Sequence, residues 1–154
     1  MKDIDVTMTE LTPMRVVSFL GFGENPEFLA WKKVASFLEE NNFTDQNQSI
    51  RIFGFNNPCP SAGSTKYGYE FWVTNINHLE IVKCTQDFTM KDYTGGLYAT
   101  TPIKVSCGEE IPEWWQSLNV WRETSPFTIS DHQWLEEHTI KGHPISLWLP
   151  IKKK

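Results

Sequence analysis

Cysteine is scarce and scattered in this sequence: Cys59, Cys84 and Cys107 are three in 154 residues, and no two form a Cys-x-x-Cys pair. An odd, widely spaced set builds neither a disulfide framework nor a structural zinc site, and it fits reduced thiols in a cytoplasmic compartment. Basic charge is also short. Fourteen Lys and Arg against nineteen Asp and Glu leave a formal charge of −5, whereas a chain that grips phosphates needs clustered cations. The one basic run, Lys152-Lys153-Lys154, reads as a solvated tail. No apolar run approaches the roughly 20 residues that span a bilayer. The start, Met1-Lys2-Asp3-Ile4-Asp5, has no apolar stretch of the signal-peptide kind, and no helix-turn-helix pattern precedes the domain. The expectation is a cytoplasmic protein that touches neither membrane nor nucleic acid directly.

Catalytic and metal signatures are missing as well. His78, His132, His138 and His143 follow no His-Glu-x-x-His or related spacing. Gly21-Phe22-Gly23 and Gly95-Gly96 lack the context of a phosphate loop, and there is no Gly-x-Ser-x-Gly or catalytic-cysteine signature. No metal and no cofactor is expected.

What the chain does have is aromatic rings. Seven Trp, ten Phe and four Tyr make up 14% of the sequence, within a hydrophobic fraction of 40% and a charged fraction of 21%. That is a globular composition, sized for one domain with a real core. So many rings supply the core and leave some for a ligand site.

Hydrophobic periodicity places the elements. Residues 4–10 and 14–21 read as strands turned at Thr12-Pro13. Asn25-Pro26 is a helix start with proline in the first turn. From there to about Asn42 the residues Phe28, Trp31, Val34, Ala35 and Leu38 recur at helical spacing. Residues 49–55 read as a strand, 56–65 as a loop and 66–74 as a strong strand. In that strand Tyr67, Tyr69, Phe71 and Val73 share one face, and Gly68, Glu70, Trp72 and Thr74 share the other. Strands follow at 80–89 and 96–105, around the turn Tyr93-Thr94-Gly95-Gly96. A helix from Pro112 carries Ile111, Trp114, Trp115, Leu118 and Trp121 on one side. A mixed segment covers 126–140 and a last strand 145–151. Phe28, Trp31, Leu118 and Trp121 are assigned to the core.

Strand, helix, strand, strand occurs twice, with Phe28-x-x-Trp31-x-x-x-Ala35-x-x-Leu38 alignable on Ile111-x-x-Trp114-x-x-x-Leu118-x-x-Trp121. The expected fold is α+β: duplicated modules, about 1–77 and 78–154, related by a pseudo-two-fold axis. Their sheets join, with both helices on one face.

The ordered set of segments resembles the GyrI-like, effector-binding family. It comprises Arg51-Ile52-Phe53-Gly54-Phe55-Asn56-Asn57-Pro58, Tyr67-Gly68-Tyr69-Glu70-Phe71-Trp72-Val73, Gly95-Gly96-Leu97-Tyr98-Ala99, Trp115-x-x-Leu118-x-x-Trp121, Trp134-Leu135-Glu136-Glu137-His138 and Ile145 to Ile151. The resemblance spans residues 3–152; His138 stands where the family often has Tyr. It implies a pseudo-two-fold antiparallel sheet flanked by the two helices with a ligand cleft between the halves, and a free-standing domain that binds drug-like, aromatic or lipophilic-cation molecules without a DNA reader, with Glu136 as the acid that faces the ligand. Two other activities follow from the same resemblance. One is a hydrolase of electrophilic small molecules, with Glu136 as base, Tyr98 or Tyr69 at the leaving group and Trp115 stacking the substrate. The other is an interaction protein acting on DNA gyrase or a regulator partner.

A carboxylate among rings loses solvation, and an arriving cation compensates it. Tyr69, Tyr98 and Trp115 are the stacking candidates, and His138 lies beside them in the ordered set. Glu70 and Trp72, with Trp148 as their counterpart, become cleft walls if the face opposite the helices lines the cleft; otherwise Glu70 is an outward, solvated acid. Exposed Trp72 or Trp148 would equally suit a dimer patch, so monomer and homodimer both stay open.

Overall fold

The computed structural model describes residues 1–43, 49–75 and 84–154. The described elements are β1 (Thr7–Leu11), β2 (Met14–Gly23), α1 (Pro26–Glu40), β3 (Arg51–Asn56), β4 (Tyr67–Thr74), β5 (Thr89–Tyr93) and β6 (Gly96–Pro102). After a 3-10 turn at Gly108–Glu110 come α2 (Ile111–Glu123), β7 (Phe127–Ile129), β8 (Leu135–His138) and β9 (Pro144–Lys153). The strands pair antiparallel in the order β1-β6-β9-β8-β3-β4-β2-β5, with β7 added to β9.

This order is the same path read twice from the middle. Outward from the β3–β8 seam, β3-β4-β2 repeats as β8-β9-β6, and each unit crosses through one helix, α1 or α2. The leading strands are exchanged: β1 pairs with β6, and β5 pairs with β2. The boundary expected near residue 77 falls outside the described residues, as do residues 80–83 of the strand expected at 80–89. The described remainder of that stretch is not extended pairing; the strand begins at Thr89. The mixed segment 126–140 resolves into β7 and β8 around a non-strand link.

Strand parity sorts the side chains onto two faces. Under α1 lie Val17, Phe19, Ile52, Tyr69, Phe71 and Val73, packed on Ala30, Val34, Phe37 and Leu38. Under α2 lie Ala99, Leu147, Leu149 and Ile151, packed on Trp114 and Leu118. Both helices therefore cover one face. The other face carries Val16, Phe53, Phe55, Trp72, Tyr98, Leu135 and Trp148. There Tyr93 of β5 touches Tyr98 of β6 hydroxyl to hydroxyl, although these strands belong to opposite ends of the sheet. The sheet curls, and the face away from the helices is the inside of the curl.

The helix α1 corrects one assignment. Phe28 is 56% exposed and Ala35 is exposed, while Ala30, Val34, Phe37 and Leu38 are buried. Both sets have helical spacing, and they differ by a small rotation of the helix. The rotation is decided by β2, where a Cβ on Gly21 would come within 2.6 Å of backbone atoms of Pro26 and Ala30. The bare glycine lets the Ala30 side of the helix settle on the strand. The helix ends in a Schellman arrangement: Asn42 is left-handed at φ 57° and the Phe43 amide donates to the Leu38 carbonyl at 2.9 Å.

Candidate functional site

The seam between the halves is where a buried acid collects. Glu136 pairs with Gly54 across β3 and β8, and His138 pairs with Ile52, so both acid and imidazole point to the helix face. Gly54 then decides the local geometry. A Cβ there would stand 2.5 Å from the Tyr69 ring, so the glycine is what allows that ring to lie across β3. In this pose the Tyr69 hydroxyl donates to Glu136 Oε1 at 2.6 Å. From α2, one position round the helix from the core residue Trp114, Trp115 Nε1 donates to Glu136 Oε2 at 3.3 Å. His138 Nε2 lies 3.2 Å from the Tyr69 oxygen. Because that hydroxyl gives its proton to Glu136, Nε2 carries a hydrogen and donates to Tyr69. The resulting chain runs His138 to Tyr69 to Glu136.

An open cavity of about 410 Å³ reaches this acid, lined by Phe55, Asn56, Cys59, Trp115, Gln133, Trp134 and Glu136. Trp115 and Trp134 face each other at 5.3 Å with their rings tilted by 43°. On the α1 side the same face carries a second acid–phenol pair, with the Tyr67 hydroxyl donating to Glu27 Oε1. Burial pushes the Glu136 carboxyl above its ordinary range, the bonds from Tyr69 and Trp115 oppose the shift, and the charge of Glu27 adds to it. Burial, with Glu136 beside it, holds Tyr69 well above an ordinary phenol; burial and Glu27 push Tyr67 up to about 12. The acid is thus costly to ionise and wants a cation.

Of the eight candidate residues, the structure brings together Glu136, Tyr69, Trp115 and His138. It puts Glu70, Trp72, Tyr98 and Trp148 on the other face, inside the curl. Neither Glu70 nor Trp72 lines the cavity that reaches Glu136, where the inner face of the sheet contributes Phe55. Glu70 is not solvated either: it is 2% exposed and accepts from Ser18 at 2.6 Å, Trp72 Nε1 at 2.6 Å, Lys91 at 2.7 Å and Asn57 at 2.9 Å. Burial alone would raise its pKa, and the four donors overcome that and hold it low. Tyr98 is fully buried, its hydroxyl donating to the Gln133 carbonyl at 2.6 Å. Trp148 packs at 5.7 Å on Phe53 and beneath the Arg51 guanidinium, which forks onto Glu137.

Phe55, Gln133 and Trp134, and the Glu27–Tyr67 pair, were not among the sequence candidates. Tyr67 shares the two-residue period of Tyr69 and was in principle legible. Gln133 and Trp134 stand in an irregular link, where alternation says nothing. Among the described residues no group of three His, Cys, Asp or Glu could hold a metal, and no helix is long and apolar enough to cross a membrane. His78 lies outside the described residues.

His138 gives a pH test. Burial lowers its pKa from 6.5 to about 4, and a backbone hydrogen bond at Gly142 opposes the shift only in part. Between those two values acid protonates the unfolded chain and not the fold. Stability fully present above pH 6.5 therefore falls as pH drops toward 4, by up to about 3 kcal/mol. Glu136 acts in the opposite sense, since its raised pKa lets the fold take up a proton first. His138→Phe should lose less stability than the wild type between pH 7 and pH 5 in urea titrations.

The chain matches the model of the family described as Cass2, integron-associated effector binding protein, over residues 7–151. Among solved structures it is similar to the integron cassette protein VCH_CASS2 of Vibrio cholerae, with TM-score 0.55, 10% identity, and 96% of this chain and 95% of that one covered. It is similar to the EcmrR C-terminal domain, with TM-score 0.65, 10% identity and coverage of 98% and 99%. It is also similar to SAV2435 bound to tetraphenylphosphonium, with TM-score 0.54, 15% identity and coverage of 96% and 94%. At such identities these likenesses carry the fold. A comparison with curated proteins finds no match.

Proposed function

This chain belongs to the Cass2 family of integron-associated effector binding proteins, and from that premise we propose that it binds lipophilic or aromatic cations in the cleft between its halves. The observation that carries the reading is the Glu136 carboxylate, held by Tyr69 and Trp115 at the wall of a ring-lined cavity of about 410 Å³. The volume lies in the range of small-molecule sites, about 300–1,000 Å³. Trp115 and Trp134 offer faces on which a delocalised cation gains about 0.5–2 kcal/mol per ring. The carboxylate, already desolvated, supplies the counter-charge in a low-dielectric setting. A net charge of −5 draws cations and repels anions at longer range. A neighbour of the same fold is described as bound to tetraphenylphosphonium, a cation of this class.

Tetraphenylphosphonium and tetraphenylborate make the decisive pair of probes, because they share one shape and differ in the sign of charge. Titration of tryptophan fluorescence should give saturable quenching with the phosphonium and little with the borate. Equal quenching by both would mean a greasy surface that does not use Glu136, and the reading would fail.

A further inference from the structure

The cavity wall contributed by Gln133 and Trp134 belongs to no strand, yet it must hold Trp134 opposite Trp115. Its main chain is fixed from the other side of the sheet. The Tyr98 hydroxyl donates to the Gln133 carbonyl at 2.6 Å, and the Gln133 amide donates to the Tyr93 oxygen at 3.1 Å. The Tyr93 and Tyr98 hydroxyls are bonded to each other. Since Tyr98 gives its proton to Gln133, Tyr93 gives its own to Tyr98, and every donor in the ring of three groups has an acceptor. One residue, Gln133, is thus gripped at both its backbone polar atoms by two phenols.

Those phenols come from far-apart strands. Tyr93 sits on β5, at one end of the sheet, and Tyr98 on β6, next to the other end. They lie five residues apart in the chain, joined through Thr94 and Gly95 across the ends of the sheet, so the clasp closes the curl and holds the Gln133 backbone in one act. Tyr98 is wholly buried against Trp148, and Tyr93 packs on Trp72 at 4.9 Å. Neither ring can swing away without opening that core. The residue after Gln133 is Trp134, still 38% exposed, with its ring in the cavity.

The geometry points to Tyr93 and Tyr98 as positioning residues for the ligand site, their paired hydroxyls setting Trp134 at its distance from Trp115 from the opposite face of the sheet. They touch no ligand and act through the backbone of Gln133. This rests on the cleft being the binding site, and the test separates the two ideas.

Tyr93→Phe and Tyr98→Phe each keep the ring and remove one hydroxyl. One readout needs no ligand: the Gln133 amide, released from Tyr93, should exchange with solvent about tenfold faster in Tyr93→Phe. The second is tetraphenylphosphonium affinity, expected to fall about fivefold in each variant, and the fall should disappear when each is combined with Trp134→Ala. Faster exchange with unchanged affinity, or an equal loss with and without Trp134, would make the clasp a matter of stability alone and overturn the proposal. Absence of phosphonium binding by the wild-type chain would overturn the cleft reading itself, and the proposal with it, whatever the exchange data give.

Discussion

Glu136→Gln should lower the affinity for tetraphenylphosphonium about 100-fold, near 2.7 kcal/mol, while leaving the weak response to tetraphenylborate unchanged or slightly stronger. The amide keeps the shape and can accept from Tyr69 through its one oxygen, but its nitrogen cannot accept from Trp115, so the charge is lost together with the longer, 3.3 Å bond. A second effect follows from the raised pKa of this carboxyl. A group easier to protonate in the fold than in the unfolded chain stabilises below the unfolded pKa, and that contribution is lost as pH rises through the folded one. At neutral pH the buried charge is a burden on the fold. The variant should therefore unfold at the same temperature as the wild type or higher, trading function for stability. Binding carries the opposite pH dependence: phosphonium affinity should rise with pH through the Glu136 transition, and binding near it should release a proton. Calorimetry in two buffers of different ionisation heat reads that proton directly.

The largest effect on stability is expected at the other buried acid. Glu70→Ala strands the Ser18 and Trp72 donors inside the curl, whereas Asn57, an exposed residue, and Lys91, whose side chain is 41% exposed, can turn back to water. At 1–3 kcal/mol for each unsatisfied buried group, partly relieved by rearrangement, the loss should be about 3–5 kcal/mol in urea unfolding. Glu70→Gln keeps the volume and one acceptor and should lose less. In that milder variant the preference for phosphonium over borate should persist, because Glu70 lies across the sheet from the cleft. The two acids thus separate cleanly. One is satisfied by four donors and serves the fold; the other has two and faces a cavity.

Much of this was legible in the sequence. The two-residue period of Tyr67, Tyr69, Phe71 and Val73 located the helix face of β4, and two ring-bearing helices in matching positions announced two related halves. Parity also said that Tyr69 and Glu70 point to opposite faces. What it could not say is which face bears the cleft, since that depends on how the sheet curls and where the helices leave a gap. The phase of α1 was read one small rotation away because Phe28 and Ala35 keep helical spacing with Trp31 as well as the true core does; the contact at Gly21 settles it. Trp134 and Gln133 escaped because their positions come from Tyr93 and Tyr98, far off in sequence, and no local period encodes such a clasp.

The structure of the complex with tetraphenylphosphonium tests the central claim most directly. The cation should sit against the facing tryptophans of α2 and the link before β8, its charge within about 6 Å of a ring and no basic side chain between it and Glu136. A phosphonium found inside the curl beside Trp72 and Trp148, with the seam acid still contacting only its own tyrosine and tryptophan, would contradict it.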